Sequence, residues 1–299
     1  TTSIESAFGV PAALSGAAMT AMMAIILFGG IRRLAVVSEV VVPAMVIGYL
    51  VLAIWVLILN FTDIPRAIAL IFSSAFGLEQ AVGGGVASAV AQGARRGLFS
   101  NEAGLGTVPN VAAAADAPHP MSQGLVQSLS VFIDTIILCT ATALIILMSS
   151  VYGSDGQTVQ GVVLTQMAVA EHLGPLGEPF VSIALVLFAT TTIAYNAFLG
   201  ENSIAYFERL GPWAVPVFRL SVLVMIAWAS VQDLGTVFGF ADLTMALLAL
   251  TNLLALWALY PVAISLLRRF EQQLEAGLAP RFSRDEMPEE ALDPASWPS

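Results

Sequence analysis

The chain has 299 residues, 58% of them hydrophobic and 11% charged, with a mean hydropathy of +0.85. A water-soluble domain carries about 25% charged residues, so this composition excludes a solvated globule, and lipid has to cover most of the surface. The formal net charge of −10 argues against a nucleic-acid partner, and a single cysteine, Cys139, excludes an intrachain disulfide.

A membrane-spanning helix needs roughly 20 mostly apolar residues. On that rule the sequence predicts an all-α integral membrane protein with about seven transmembrane helices. They fall near Val10–Ile31, Val40–Thr62, Gly83–Leu98, Gly124–Tyr152, Pro179–Leu199, Trp213–Val231 and Leu243–Leu267. The third is short and glycine-rich. Ile64–Phe76 reads as a shorter helix on the surface or leading into the third span, and Thr158–Leu173 as another in the longest loop. Residues 1–270 form the transmembrane domain. Residues 271–299 hold seven of the 21 acidic residues together with Pro280, Pro288, Pro294 and Pro298, which predicts an acidic, disordered tail.

All eleven basic residues are arginine. With seven alternating spans, Arg32, Arg33, Arg95, Arg96, Arg209, Arg219, Arg268, Arg269, Arg281 and Arg284 fall on one side, and Arg66 falls on the other. Basic residues gather on the cytoplasmic side, so the pattern predicts a multi-pass protein of the cell (inner) membrane with a cytoplasmic C-terminus. A wrong span count would have scattered the arginines.

Polar groups inside lipid are costly and mark candidate sites. Gly83-Gly84-Gly85 is the first. Consecutive glycines weaken a helix by about 1 kcal/mol each, and the exposed carbonyls of a broken helix can hold an ion or an amino-acid carboxylate. Close packing through small residues is the competing use. Asp134 is the second, about nine residues into an apolar span. Gln123, Gln127, Ser130 and Asp134 share one helical stripe, with Thr135, Cys139 and Thr142 on the next. Either ion coupling or a proton relay, or a hydrogen-bonded structural carboxyl, fits that position. The run Thr190-Thr191-Thr192 with Asn196 is the third. Membrane threonines often bond back to their own helix, yet sodium is a hard cation that takes oxygen ligands. Glu201 and Asn202 read as interfacial, and His119 and His172 as loop residues. The segment from Gln92 to Gly106 is too polar for lipid and reads as a structured loop, with Ser100 capping a short helix Asn101–Ala115. No metal-ligand spacing, catalytic triad or phosphate-binding glycine loop is seen, so the sequence predicts no enzyme and no cofactor.

Two motifs occur in order. Gly84-Gly85 leads into Gln92-Gly93, Arg96-Gly97 and Phe99-Ser100-Asn101-Glu102-Ala103-Gly104. His119-Pro120 then precedes Gln123-Gly124-Leu125, Val131-Phe132-Ile133-Asp134-Thr135 and Cys139-Thr140-Ala141-Thr142-Ala143-Leu144. On these residues the chain resembles the sodium:alanine (alanine or glycine:cation) symporters, over most of Gly29–Pro261. The resemblance implies a leucine-transporter-like fold of two inverted five-helix repeats. This chain would supply the last two helices of repeat one and all five of repeat two, cropped from a longer protein whose N-terminal helices are its partners. It further implies substrate contacts from Gly83, Gly84, Gly85, Ser88 and Asn196, sodium ligands from Thr191, Thr192 and Asn101, and a polar relay through Asp134 and Gln92. Sodium would be a co-transported ion. Ala87 stands where a family glycine is expected, and Asn196 where some members carry tryptophan. The expected function is sodium-coupled uptake of a small neutral amino acid, alanine or glycine. The rivals are a same-fold symporter for another solute, a non-transporting remnant, and an intramembrane enzyme. The last lacks any converging partner for Asp134 or Glu201.

Overall fold

The computed structural model describes residues 1–29, 31–76, 85–113, 115–152, 161–207 and 211–283; within them, the side chains of residues 31–39, 76 and 85–89 are outside the description. All regular structure among the described residues is helical. In chain order the helices are α1 (Thr2–Phe8), α2 (Ala12–Gly29), α3 (Ile31–Leu59), α4 (Ile64–Phe76), α5 (Gly85–Asn101), α6 (Thr107–Ala112), α7 (Pro120–Ile133), α8 (Thr140–Leu147), α9 (Val162–Leu173), α10 (Gly177–Ala205), α11 (Ala214–Ala229) and α12 (Leu234–Glu275). A π-helical turn, Asp134–Cys139, joins α7 to α8. Short 3-10 turns, Phe61–Asp63 and Gly174–Leu176, precede α4 and α10.

Among the described residues, five stretches are long and apolar enough to cross a membrane: Ala12–Gly29, Val40–Leu59, Pro120–Leu147, Val162–Ala205 and Leu234–Glu275. The expected count of about seven included two more. One is α11, apolar but only 16 residues long, or about 24 Å against a hydrocarbon core of about 30 Å. The other, Gly83–Leu98, begins outside the described residues and continues as α5. Pro43 lies inside α3 and Pro261 inside α12, which membrane helices accommodate because neighbouring groups satisfy the freed backbone.

The chain divides into two compact units, Thr1–Gln92 with Ile137–Phe238, and Gly93–Ile136 with Gly239–Ser299. In the first unit α10 is the hub. Toward one end, its Val181 joins Leu52, Ala53 and Val56 of α3, Ala141 and Ile145 of α8, and Ala168 and Val169 of α9. Toward the other, its Ala194 and Ala197 meet Met23 and Leu27 of α2, with Val222 and Ile226 of α11 packed alongside. Small residues let membrane helices approach closely. Gly177 shows the limit: a Cβ there would stand 2.5 Å from the Ala170 Cα, so only glycine lets α9 fold back onto α10. A buried polar knot pins α1 to this end. Gln166 Nε2 donates to Ser182 Oγ at 2.7 Å and to the Ser3 carbonyl at 3.2 Å, while Ser3 Oγ donates to Ser182 Oγ at 3.1 Å. Just before α12, Asp233 accepts the Thr236 hydroxyl and backbone N–H. Those bonds hold its carboxyl below the usual carboxylate range.

In the second unit His119 is fully buried. It caps α7 by accepting the Met121 N–H at 3.1 Å, and it packs between Phe270 and Phe282. Residues 271–283 of the expected tail begin with the last turn of α12 and then turn back. Arg281 N–H donates to Gln273 Oε1 at 2.8 Å, and Phe282 N–H to the Pro118 carbonyl at 2.9 Å. Residues 284–299 lie outside the described part.

Candidate functional site

In the second unit the site centres on the end of α5. That helix runs through Ser100 to Asn101, so Ser100 does not cap a following helix as its sequence context suggested. The reason is the backbone beyond it: Glu102, Gly104 and Gly106 hold φ of 51°, 79° and 89°. This left-handed region is open to glycine and costly for other residues, and it ends α5 and delays α6 to Thr107. Glu102 bears that conformation while its carboxylate accepts the Thr107 hydroxyl at 2.5 Å. Gly106 has no substitute, since a Cβ would stand 2.7 Å from Asn252 Oδ1. Asn252 Nδ2 in turn donates to the Gly104 carbonyl at 2.9 Å, tying the loop to α12.

This folding presents two neighbouring side chains of α5 to the start of the π turn. Ser100 Oγ donates to Asp134 Oδ2 at 2.6 Å, a short bond of the charge-assisted kind. Asn101 Nδ2 donates to Thr135 Oγ1 at 2.8 Å, and the Thr135 hydroxyl can donate onward to Asn101 Oδ1 or the Val131 carbonyl, both at 3.1 Å. Two residues of one motif thus meet two of the other, where the helix widens; π turns recur at functional positions. Asp134 therefore has a defined hydrogen-bond partner. Asp134→Asn keeps an acceptor for Ser100 and loses only the charge assistance. The expected result is a stability loss of about 1 kcal/mol, read from thermal melting; a variant that melts with the parent would show that the charge adds nothing to the Ser100 bond.

In the first unit the candidate ligands lie along α10. The Thr190 hydroxyl donates to the Val186 carbonyl at 2.7 Å, and that of Thr191 to the Leu187 and Phe188 carbonyls at 3.1 and 3.0 Å. Both are spent on their own helix. Thr192 and Asn196, one turn apart, are exposed, and their side chains have no hydrogen-bond partner among the described residues. Gln92 lies exposed on α5. Gly85 begins α5 and Ser88 lies in its first turns with its side chain outside the description; Gly83 and Gly84 lie outside the described residues.

Three features were not read from sequence. Glu201 is not simply interfacial: its carboxylate takes the Arg219 guanidinium in a two-pronged pair, Nε to Oε1 at 2.7 Å and Nη2 to Oε2 at 2.8 Å. Tyr49 and Thr142 share a hydrogen bond at 2.6 Å. Asn252 could have been found by the logic applied to Asp134, as a lone amide in an apolar run.

A model of the sodium:alanine symporter family matches residues 1–284. An uncharacterized transporter of Haemophilus influenzae is 42% identical over 278 residues, 92% of this chain and 57% of the relative. The probable sodium/glutamine symporter GlnT of Bacillus subtilis is 38% identical over 281 residues, 94% of this chain and 58% of the relative. The sodium/alanine symporter AgcS of Methanococcus maripaludis is 33% identical over 270 residues, 90% of this chain and 59% of the relative. The chain thus spans less than two thirds of the length of these relatives.

Proposed function

Because this chain belongs to the sodium:alanine symporter family, we propose that it forms part of a secondary carrier that moves sodium and a small neutral amino acid together across the cell membrane. The solute is alanine or glycine, the downhill sodium gradient supplies the free energy, and no covalent chemistry takes place. One observation carries the reading. α10 is 29 residues long and mostly apolar, yet Thr192 and Asn196 present a hydroxyl and an amide with no hydrogen-bond partner among the described residues. Unmet polar groups on a membrane helix call for a polar occupant. A sodium ion beside Thr192 and a solute beside Asn196 answer that need, with Gly83, Gly84 and Gly85 proposed as further contacts from the sequence alone. In the second unit, Asn101, bonded to Thr135, is a further ion ligand under this proposal. Ser88 adds a hydroxyl on the solute side. The seven-span, inverted-repeat arrangement and a cytoplasmic C-terminus accompany this proposal, supported by the arginine bias.

The test is uptake of labelled alanine by the complete protein in sealed vesicles, with sodium exchanged for potassium and with protons varied separately. Uptake driven by inward sodium and competed by glycine is expected. Uptake indifferent to sodium would sink the symport reading. Competition by glutamine in preference to glycine would favour a same-fold carrier for a larger solute, for which Asn196 leaves more room than tryptophan.

A further inference from the structure

A polar basin of about 500 Å³ opens in the first unit, where the start of α4, the end of α8 and α9 come together. It takes charge of both signs. Asp63 closes the turn before α4 and Arg66 lies in the first turn of that helix. Glu171 reaches in from α9. The three are not spent on one another. Arg66 makes no ion pair or hydrogen bond among the described residues, and neither does the Asp63 carboxylate. Glu171 is held in place from behind: the Ser150 N–H donates to its two oxygens at 3.1 and 2.9 Å, and the Ser150 hydroxyl to one of them at 3.0 Å. Ala67, Leu147 and Met148 give the basin an apolar floor.

A fixed carboxylate and a guanidinium uncommitted among the described residues, over an apolar floor, match one kind of ligand. A free amino acid carries a carboxylate, an ammonium group and a small side chain on adjacent atoms. Guanidinium binds carboxylate in a planar fork, and an ammonium group supplies three donors for Glu171 and Asp63. The volume lies in the usual range for a small-molecule pocket. Arg66 is also the one arginine that the sequence places on the side opposite the other ten.

We propose that this basin is an encounter site that binds the zwitterionic amino acid before it enters the translocation path, independently of sodium. The inference rests on the transport reading for the identity of the ligand. The groups are solvent-exposed, so binding is weak and its test is a competition measurement.

The experiment uses the complete protein carrying Tyr152→Cys at the basin wall, in leaky membranes that admit reagent from both sides. Potassium replaces sodium, which leaves any sodium-dependent site unloaded. Labelling by a charged thiol reagent is followed with alanine, with its uncharged N-acetyl amide, and with lactate, which has the carboxylate alone; protein without the added cysteine gives the Cys139 background. Alanine is expected to slow labelling and the amide to leave it unchanged. Arg66→Gln and Glu171→Gln should each raise the alanine concentration needed by about fivefold, with labelling in its absence unaltered. No protection, equal protection by the amide, or protection that survives Arg66→Gln would overturn the proposal. Lactate acting as well as alanine would reduce the basin to an anion site and overturn it also. Sodium-driven uptake by the unmodified protein is measured in parallel. Its absence would refute the transport reading while protection still reports on the basin.

Discussion

Leucine in place of Glu201 is expected to destabilise the protein by about 3 kcal/mol or more, the largest effect of any single substitution considered. The side chains of Glu201 and Arg219 are only 13% and 25% exposed. Their two-pronged pair links α10 to α11 one residue from Gly200, against which the Phe218 ring is pressed. Arg219 also lies 5.7 Å over the Phe28 ring of α2, so three helices meet at one guanidinium. Removing the carboxylate leaves that half-buried cation uncompensated; breaking one side of a fully buried pair costs about 3–5 kcal/mol, and the partial exposure of this pair puts it at the lower end. Removing both partners is a different matter, since apolar replacement of a whole ion pair is often neutral. The double variant Glu201→Leu with Arg219→Leu should therefore recover most of the loss. Thermal melting of the detergent-purified protein by tryptophan fluorescence measures both. A single variant that melts with the parent, or a double variant no better than the single, would show that the pair is ornamental.

On the proposed symport reading, the second large effect is on the sodium requirement. Thr192→Val keeps the shape of the side chain and removes its hydroxyl. Losing one ligand of a bound sodium costs on the order of 1–3 kcal/mol, the range for an unmet buried polar partner, and so raises half-saturating sodium roughly tenfold to hundredfold. Thr191→Val sharpens the test. Its hydroxyl already serves two backbone carbonyls, so if those bonds are its whole role, valine there should leave the sodium curve within about twofold. If both residues ligate, both curves shift. The readout is initial alanine uptake against sodium at fixed ionic strength, with protein amount in the membrane measured alongside. An unshifted curve for both variants would remove α10 hydroxyls from the ion site and leave the transport test standing by itself.

The long apolar runs were legible because their signal is a sum over some twenty residues: α2 and the α7–α8 stretch lie within a few residues of where the hydropathy put them, and so does the apolar part of α3, Val40–Leu59, although that helix starts earlier, at Ile31. The end of α5 was not legible. It depends on Glu102 adopting a left-handed backbone, a conformation to which residue type gives little clue, whereas Gly104 and Gly106 do signal it. Asp134 was legible as an anomaly, but its partner Ser100 is 34 residues away, and no periodicity links the two. The triple threonine advertised hydroxyls without saying which were spent; only the helix geometry separates Thr191 from Thr192. Glu201 and Arg219 were each visible, and their pairing required knowing that α10 and α11 pack side by side.

The π turn at Asp134–Cys139 amounts to one residue more than an α-helix would use over the same height. One residue is about 100° of rotation, so the turn resets the phase of the helix. At its start Thr135 addresses Asn101; beyond it Thr142 addresses Tyr49. The division of the chain into its two compact units falls between Ile136 and Ile137, inside this same turn. A chain one residue shorter here would keep an unbroken spiral and would turn Thr142 by about 100° relative to Thr135. In a comparison with other chains, a single-residue gap at this point would accordingly mark a change of which face serves which neighbour, even where every flanking residue were identical.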